Sequence, residues 1–295
     1  MLRAATRGSP LALWQTDHVA ALLGALNVEV EPVIVETTGD RNPEASLTSI
    51  GGQGVFVKEV QAAVLGGRAD IAVHSAKDLP SVAADGLVIG AVPERGDPRD
   101  ALVGGTLRAI PSGGRVATGS VRRRAQLANL RPDLTFADLR GNIDTRLEKA
   151  AGFDAIVVAA AALWRLGLAD RIAEELDPST FVPQVGQGAL AVECRSDDAA
   201  TLSWLAQIED GPSRVAVDAE RAFLAELGGG CTLPAGAYAV VDAEGSISLD
   251  GLLASPDGRV VLRYAARGAT ADRLGRAVAT HLLDHAGGRT LLEDG

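Results

Sequence analysis

The sequence predicts an α/β protein of two lobes followed by a C-terminal α+β domain. Along the first two thirds of the chain, short runs rich in Val and Ile alternate with helix-like segments, which is typical of mainly parallel sheets covered by helices. This alternation restarts after a segment rich in proline and glycine. The last quarter instead contains strands of alternating polar and apolar residues, which indicates an antiparallel sheet.

The first lobe begins with a predicted strand and a helix whose N-cap is Ser9, because serine is a preferred residue at that position. The following strands and helices alternate around a polar, glycine-containing loop at 38–54. The predicted strands are 2–5, 28–36 and 70–74, and the predicted helices run from Ser9 to Leu26 and over 57–65.

The second lobe is predicted after the segment 93–98, which contains two prolines and a glycine and is a candidate hinge. A second crossing point is predicted at 182–188, followed by a strand at 189–193. Two α/β lobes joined by two crossings are typical of hinged, periplasmic-binding-protein-like clefts. The strands predicted within this lobe are 115–118, 135–139 and 155–159, and its helices are 121–130 and 143–151.

The C-terminal domain is predicted to contain a three-stranded antiparallel sheet between two helices. Three glycines end the first helix, and a Ser-Pro-Asp-Gly turn joins the last two strands. The predicted helices are 213–227 and 270–286, and the strands are 238–242, 246–253 and 259–266. We therefore predict domain 1 at 1–93 and 189–208, domain 2 at 94–188, and the C-terminal domain at 209–295.

Composition and charge exclude several classes of protein. Of the 295 residues, 47% are hydrophobic and 22% charged, which excludes disorder over the whole chain. A formal net charge of −10 argues against general nucleic-acid binding. The longest apolar run is too short for a membrane span, and the first residues lack the apolar core of a secretion signal. Only two cysteines occur, so we expect a cytoplasmic protein without a nucleic-acid or membrane partner.

Basic residues cluster between 115 and 146, where seven arginines and three aspartates give a net charge of +4. Arg122, Arg123 and Arg124 lie near a predicted helix N-terminus, behind a Thr-Gly-Ser turn. A helix N-terminus attracts anions, and arginine binds carboxylates through two parallel hydrogen bonds. The pattern predicts a site for a carboxylate- or phosphate-bearing ligand. A solvated helix face with one internally paired arginine explains it equally well.

A second candidate site follows the predicted strand 70–74. Ligands of open α/β sheets bind beyond the carboxyl ends of strands, where Lys77 and Asp78 follow. A carboxylate beside a lysine can hold a cation or move a proton. The alternative is an ion pair within a loop and, for His74, a hydrogen-bonded place in the core. No metal-binding spacing, P-loop or dinucleotide fingerprint occurs, so we expect no metal site.

The two cysteines lie in different settings. Cys231 lies in a Gly-rich loop after a predicted helix, where a thiol is accessible and can act as a nucleophile or an attachment point. Cys194 lies in the strand-like segment AVEC, and we expect it to be a small buried hydrophobic residue.

Nine motifs occur in a fixed order and are specific as a set. They are TRGSPLALWQ, GGQGVFVKEVQ, RADIAVHSAKDLP, ERGDPRDAL, TGSVRRRAQL, LRGNIDTRL, WRLGL, VGQGALAVECR and GGGCTLPAGAY. This set resembles the porphobilinogen deaminase (hydroxymethylbilane synthase) family of tetrapyrrole and heme biosynthesis. The resemblance runs from Leu2 to about Tyr238, with a looser match beyond.

The resemblance implies a transferase that joins four porphobilinogen molecules head to tail, releases four ammonia molecules and produces hydroxymethylbilane. The family's primer is a dipyrromethane cofactor held by a thioether to a cysteine, which matches Cys231 and makes the C-terminal domain the site of cofactor attachment. The family's catalytic aspartate matches Asp78, whose carboxylate can stabilise the cationic azafulvene formed as ammonia departs. A monomer that passes its product to uroporphyrinogen-III synthase is also implied.

The resemblance also assigns anion-binding residues. Each pyrrole carries an acetate and a propionate, so the growing product is polyanionic. The residues that match cofactor-binding positions of the family are Lys77, Thr118, Ser120, Arg122, Arg123, Arg140 and Arg146. The residues that match substrate-binding positions are Arg7, Ser9, Arg140, Arg146 and Arg165. Arg124 matches no such position.

Two residues depart from the family pattern. Gln53 replaces a frequent lysine, which removes a charge, and Gly119 replaces a frequent serine, which removes a hydroxyl. An alternative function from another class is a non-catalytic, two-lobe protein that binds small anions. Cys231, Asp78 and the C-terminal domain distinguish the two functions, because a two-lobe receptor needs none of them.

Overall fold

The computed structural model describes residues 1–37, 57–228 and 233–293. The chain divides into two compact units, Met1–Gly96 with Ala189–Arg214 and Asp97–Gly188 with Val215–Gly295. The chain thus leaves the first unit after Gly96 and returns to it at Ala189. The division into three domains stays a prediction.

The first unit is built on a mixed five-stranded sheet. Its strands are β1 (Leu2–Thr6), β2 (Val30–Ile34), β3 (Ile71–Ser75), β4 (Leu87–Ala91) and β10 (Leu190–Arg195). Their order is β2-β1-β3-β10-β4. β1 pairs in parallel with β2 and β3, whereas β10 is antiparallel to both β3 and β4. The sheet is therefore less parallel than predicted, because the strand contributed by the returning chain runs in the opposite direction.

Helices pack on both faces of this sheet. The helices of the unit are α1 (Pro10–Gly24), α2 (Lys58–Leu65) and α6 (Ala199–Leu205). Successive strand residues face opposite sides of a sheet. Ala4 accordingly shares a core cluster with Val19 of α1. The next residue, Ala5, shares another cluster with Val60 of α2.

The second unit contains a similar five-stranded sheet. Its strands are β5 (Asp100–Val103), β6 (Arg115–Ala117), β7 (Thr135–Ala137), β8 (Ala155–Ala159) and β9 (Glu174–Leu176), and its helices are α3 (Val121–Leu130), α4 (Ile143–Lys149) and α5 (Ala160–Arg165). The strand order is β7-β6-β8-β5-β9. β6 is parallel to β7 and β8, and β5 is antiparallel to β8 and β9. Val116 packs with Leu127 of α3, and Ala117 packs with Leu147 of α4.

The C-terminal part of the second unit contains a three-stranded antiparallel sheet with the order β11-β12-β13. These strands are β11 (Ala235–Val241), β12 (Ile247–Ala254) and β13 (Val261–Gly268), and the helices are α7 (Gly211–Glu226), α8 (Ala271–Thr280) and α9 (Gly288–Glu293). Helix α7 belongs to this unit from Val215 onward. Leu249 packs with Phe223 of α7 and Leu274 of α8. Leu252 packs with Ala125 of α3, so this sheet supports the arginine-bearing helix. Among the described helices, none has both the length and the apolar character of a membrane span.

Local sequence signals predicted many of these elements closely. The predicted helix 121–130 and strand 155–159 have the bounds of α3 and β8. Ser9 is the N-cap of α1, as predicted, and its hydroxyl accepts a hydrogen bond from the Ala12 amide at 3.4 Å. The predicted loop at 38–54 lies outside the described residues.

Candidate functional site

The carboxyl ends of β1 and β3 bring three predicted site residues to one pocket in the first unit. Arg7 and Ser9 follow β1, and Asp78 ends a short 3-10 turn that follows β3. Because these parallel strands end at the same edge of the sheet, all three residues line one pocket, together with Gln15. The pocket therefore combines a guanidinium, a hydroxyl, an amide and a carboxylate.

Asp78 supplies the carboxylate of this pocket. Its side chain is half-buried, and no group of the described residues forms a hydrogen bond or an ion pair with it. The loop ion pair between Lys77 and Asp78 considered from the sequence is therefore not formed. An ionised carboxylate only accepts hydrogen bonds, so Asp78 can accept them from a ligand in the pocket.

A buried polar network around His74 adjoins the same pocket. The sequence analysis expected His74 to lie in the core but did not identify its partners. His74, which also lines the pocket, has its Nε2 atom 3.1 Å from Oε2 of Glu193, and the two side chains are only 4% and 2% exposed. Gln61 Nε2 donates to both carboxylate oxygens of Glu193, at 3.1 and 2.9 Å. The one sequence signal for this network is a glutamate inside the otherwise apolar strand β10.

In the second unit, α3 carries the three consecutive arginines in two different environments. Arg122 and Arg123 are buried, at 2% and 5% exposure. Arg124 is exposed and its guanidinium lies 5.8 Å from the ring centre of Phe136. A solvated helix face, the alternative left open by the sequence, thus describes Arg124 only.

The turn before α3 uses its hydroxyls to begin the helix. Ser120 is the N-cap, and its Oγ accepts a hydrogen bond from the Arg123 amide at 3.4 Å. The Thr118 hydroxyl accepts from the Ser120 amide at 3.2 Å. Both predicted site hydroxyls therefore have a structural role as well, because they satisfy amides that a helix N-terminus leaves unpaired.

Asp100, at the start of β5, lies between the two buried arginines and is itself fully buried. Its Oδ1 atom is 2.7 Å from Nη2 of Arg123, and its Oδ2 atom is 2.8 Å from Nη1 of Arg122. Gln187 Nε2 donates to Oδ1 at 3.0 Å. Burial acts to raise the pKa of Asp100, but the two arginines overcome it and lower this pKa to about 2.

Arg122 is only partly used by these contacts. Its Nη1 atom donates to the Val182 carbonyl oxygen at 2.6 Å, and the guanidinium lies 5.7 Å from the ring centre of Phe181. Its Nε and Nη2 atoms are buried and have no hydrogen-bond partner. Buried donors without partners are unfavourable, so this edge of Arg122 is suited to an anionic ligand.

The remaining predicted arginines lie on other elements of the second unit. Arg146 on α4 donates from Nε to the Gly141 carbonyl oxygen at 2.8 Å. Arg165 on α5 donates to the Gly188 carbonyl oxygen at 2.6 Å, and burial lowers its pKa to about 10. Arg140 is half-buried in the loop between β7 and α4. Arg165 therefore remains charged at neutral pH.

Gly119 allows this loop to approach the start of α3. A Cβ atom at Gly119 would lie 2.7 Å from the Leu139 carbonyl oxygen and 3.8 Å from Nε of Arg140. The first distance is too short for a side chain without a shift of the loop backbone. The glycine that replaces serine at position 119 therefore lies at a close backbone contact beside Arg140.

The two cysteines differ in what the structure describes. Cys231 lies outside the described residues, as does Gln53, so their roles stay predictions. Cys194 is fully buried in β10, and burial raises the pKa of its thiol to about 11. Cys194 is therefore protonated at neutral pH, as expected of a small buried residue rather than a nucleophile.

Among solved structures, two periplasmic proteins share a distant similarity with the chain. A periplasmic substrate-binding protein of an ABC transporter from Coxiella burnetii is 12% identical, with a TM-score of 0.44 over 72% of this chain and 94% of that one. A nutrient-binding protein from Burkholderia cenocepacia bound to methionine is also 12% identical, with a TM-score of 0.44 over 72% and 93% of the two chains. At TM-scores below 0.5, neither similarity informs the function of the chain.

Sequence relatives are much closer. A porphobilinogen deaminase from Syntrophobacter fumaroxidans is 46% identical over 100% of this chain and 97% of its own length. Those from Roseiflexus and Chromobacterium violaceum are 49% and 48% identical, over 97% and 98% of this chain and 97% and 96% of their own lengths.

Two family models match consecutive parts of the chain. The model described as "Porphobilinogen deaminase, dipyromethane cofactor binding domain" matches residues 2–203, and "Porphobilinogen deaminase, C-terminal domain" matches residues 215–284. These matches span both compact units, and the relatives are similar from end to end. The chain therefore belongs to the porphobilinogen deaminase family.

Proposed function

We propose that Asp78 is the catalytic group with which this chain carries out the reaction of its family. That reaction is a transfer in which four porphobilinogen molecules are joined head to tail, four ammonia molecules leave, and hydroxymethylbilane is formed. The observation that carries the proposal is the Asp78 carboxylate, which has no partner among the described residues and lines a pocket with Arg7 and Ser9.

The chemistry of the pocket suits this role. Loss of ammonia from porphobilinogen leaves positive charge on the pyrrole, and a preorganised carboxylate stabilises charge that develops in a transition state. Arg7 and Ser9 can bind the acidic side chains of the same pyrrole. Asp78 then faces the pyrrole N–H group and the developing cation, while the arginine holds the acetate or propionate.

The dipyrromethane cofactor of the family fits the residues present in the second unit. When bound through a thioether to Cys231, it supplies the terminal pyrrole to which new units are added. Its acidic side chains need cationic partners, and the unpartnered Nε and Nη2 atoms of Arg122 are two buried donors suited to a carboxylate. We assign cofactor binding to Arg122 together with Lys77, Thr118, Ser120, Arg123, Arg140 and Arg146.

The growing product also needs cationic partners, because each added pyrrole brings two carboxylates. We assign substrate binding to Arg7, Ser9, Arg140, Arg146 and Arg165. Arg165 supports this assignment because it is half-buried yet remains charged at neutral pH, since burial lowers its pKa only to about 10. A desolvated guanidinium binds a carboxylate more strongly than an exposed one does.

Cellular setting and assembly follow from the same proposal. We place the chain in the cytoplasm as a monomer that passes hydroxymethylbilane to uroporphyrinogen-III synthase. The small number of cysteines, with Cys194 buried and free, supports a reducing compartment. The alternative of a non-catalytic anion-binding protein is disfavoured, because family matches cover residues 2–203 and 215–284.

Single-turnover release of ammonia tests the role of Asp78. Asp78→Asn keeps the size of the side chain but removes its charge, so we expect release at least about a hundredfold slower. Asp78→Glu keeps the charge and should retain more activity. Asp85→Asn, an exposed aspartate of the same unit, is the matched control and should behave as wild type.

These variants are compared at equal cofactor occupancy, measured by intact mass. The affinity for porphobilinogen should change little in Asp78→Asn, because arginines bind the two carboxylates of the substrate. Near-wild-type ammonia release by Asp78→Asn would remove Asp78 from the catalytic role.

A further inference from the structure

Asp100 is the only carboxylate among the described residues that contacts both buried arginines of α3. It has no exposure to solvent, and Gln187 holds it from another side by donating to Oδ1 at 3.0 Å and to the Pro98 carbonyl oxygen at 2.7 Å. The Gln187 amide thus fixes the position of the Asp100 carboxylate, which contacts both guanidinium groups.

The two arginines meet Asp100 through different atoms. Arg123 uses its Nε and Nη2 atoms, at 2.8 and 2.7 Å from Oδ1, and donates from Nη1 to the Val157 carbonyl oxygen at 3.1 Å. Arg122 uses Nη1 for both of its contacts: an ion pair with Oδ2 of Asp100 at 2.8 Å, without a hydrogen bond to that oxygen, and a hydrogen bond to the Val182 carbonyl oxygen. Its Nε and Nη2 atoms consequently remain without a hydrogen-bond partner.

The Nε and Nη2 atoms of an arginine form the edge that holds a carboxylate with two parallel hydrogen bonds. The chain itself uses this edge elsewhere. Arg131 binds the two oxygens of Asp133 through Nε and Nη2, at 2.7 Å each. Arg3 binds Asp70 in the same way, at 3.1 and 2.7 Å. Arg122 thus has its carboxylate-binding edge unoccupied, whereas that of Arg123 is occupied by Asp100.

The surroundings of Arg122 preserve this orientation. A Cβ atom at Gly236 of β11 would lie 3.0 Å from Cδ of Arg122 and 2.6 Å from the Pro183 carbonyl oxygen. Glycine at 236 therefore leaves the space that the Arg122 side chain uses.

We propose that Asp100 is a positioning residue, which holds Arg122 by Nη1 so that its Nε and Nη2 edge is presented to a carboxylate of the dipyrromethane cofactor. This inference rests on the proposed role of Arg122 in cofactor binding. Asp100 itself does not contact the cofactor in this proposal. Because the two arginines keep Asp100 ionised, the positioning persists throughout the neutral pH range.

Cofactor loading of purified full-length variants tests this inference. Asp100→Asn keeps the shape of the side chain but loses its charge, so we expect at least a fivefold lower fraction of protein with the added mass of two porphobilinogen units. Asp97→Asn is the matched control, because Asp97 lies three residues away and binds Arg99 instead. It should load normally. Arg122→Lys should load as poorly as Asp100→Asn, because lysine lacks the two-atom edge.

A spectroscopic measurement separates positioning from a general structural effect. In wild-type holoenzyme labelled with ¹⁵N-arginine, the Nε–H resonance of Arg122 is identified by its absence in Arg122→Lys. It should be shifted and protected from exchange with solvent, because its hydrogen is bonded to a carboxylate. In the loaded fraction of Asp100→Asn this protection should fall at least tenfold, while the resonances of Arg3 and Arg131 stay unchanged.

Each outcome decides between the two proposals. Normal loading and an unchanged Arg122 resonance in Asp100→Asn would overturn the positioning role alone, if Arg122→Lys still loads poorly. Normal loading of Arg122→Lys would overturn the proposed cofactor role of Arg122 and with it this inference. If Asp100→Asn does not fold, Asp100→Glu replaces it. That variant keeps the charge one methylene further out, and its normal loading would also overturn the inference.

Discussion

The imidazole Nε2 atom of His74 lies 3.1 Å from the Glu193 carboxylate, and both side chains are almost completely buried. The two residues lie on neighbouring antiparallel strands, where Glu193 pairs with Ala72 and His74 with Ala191. Glu193 is therefore a diagonal neighbour of His74, and its second partner is Gln61 on α2. Since His74 lines the pocket of Asp78, this network adjoins the proposed catalytic site.

We expect Glu193→Ala to destabilise the protein by about 1–3 kcal/mol, because removing the carboxylate leaves the buried amide of Gln61 without this hydrogen-bond partner. Glu193→Gln should cost less, since an amide can keep a hydrogen bond with Gln61. The free energy of unfolding in urea measures both effects. Glu29→Ala, an exposed glutamate of the same unit, should change it by less than about 0.5 kcal/mol. A similarly small effect of Glu193→Ala would show that the network contributes little to stability.

Cofactor attachment should depend on one cysteine only. Cys231→Ser should abolish the covalent cofactor, because a hydroxyl does not replace a thiolate as nucleophile. Cys194→Ser should keep it, because Cys194 is buried and the pKa of its thiol is raised to about 11. Intact mass of the two purified variants decides the matter. The assignment of Cys231 fails if Cys231→Ser still carries the added mass.

Neighbouring arginines on α3 should differ sharply on substitution. Arg123→Leu leaves the buried Asp100 with one cationic partner fewer, at a cost of about 2–5 kcal/mol, and should impair cofactor loading or early elongation. Arg124→Leu removes an exposed cation near Phe136 and should be mild. Loading by intact mass and single-turnover ammonia release measure the two variants. Normal loading and activity of Arg123→Leu would contradict the expectation.

Acid should weaken the protein partly through Asp100. Its pKa in the folded protein, about 2, is below the ordinary value of 3.8, so the unfolded chain binds a proton first as the pH falls. The resulting stabilisation, about 2 kcal/mol, is present above pH 4 and is lost between about pH 4 and pH 2. The unfolding free energies of wild type and Asp100→Asn should therefore converge by this amount over that range. Parallel curves for the two proteins would contradict the prediction.

Local sequence signals predicted the elements that have clear boundaries. Ser9 marked the start of α1, and the Thr-Gly-Ser turn marked the start of α3. Short strands with charged residues escaped prediction, as in β9 (Glu174–Leu176) and β5, which begins with Asp100. Their charges are compensated by contacts distant in sequence, which no local pattern displays. The antiparallel direction of β10 was likewise missed, because strand direction depends on where the returning chain enters the sheet.

In the candidate site, too, some residues could be identified from the sequence and others could not. The resemblance of motifs pointed to Asp78, Arg122 and Arg123, which carry recognisable chemistry next to helix or strand ends. It did not point to Asp100 or Glu193, because their importance comes from burial against partners more than twenty residues away. Asp100 and Glu193 share one sequence feature, because each is a charged residue in a short and otherwise largely apolar strand.

The place of β10 between β3 and β4 has a consequence for synthesis on the ribosome. The first sheet remains incomplete until Arg195 has been made, although β4 ends at Ala91. By then all strands of the second sheet, from Asp100 to Leu176, have been translated. Meanwhile β3 has an open edge and β4 has no neighbour in its sheet. A nascent chain that stops before Leu190 therefore exposes unpaired strand edges, which makes it prone to aggregate even when its second sheet has folded.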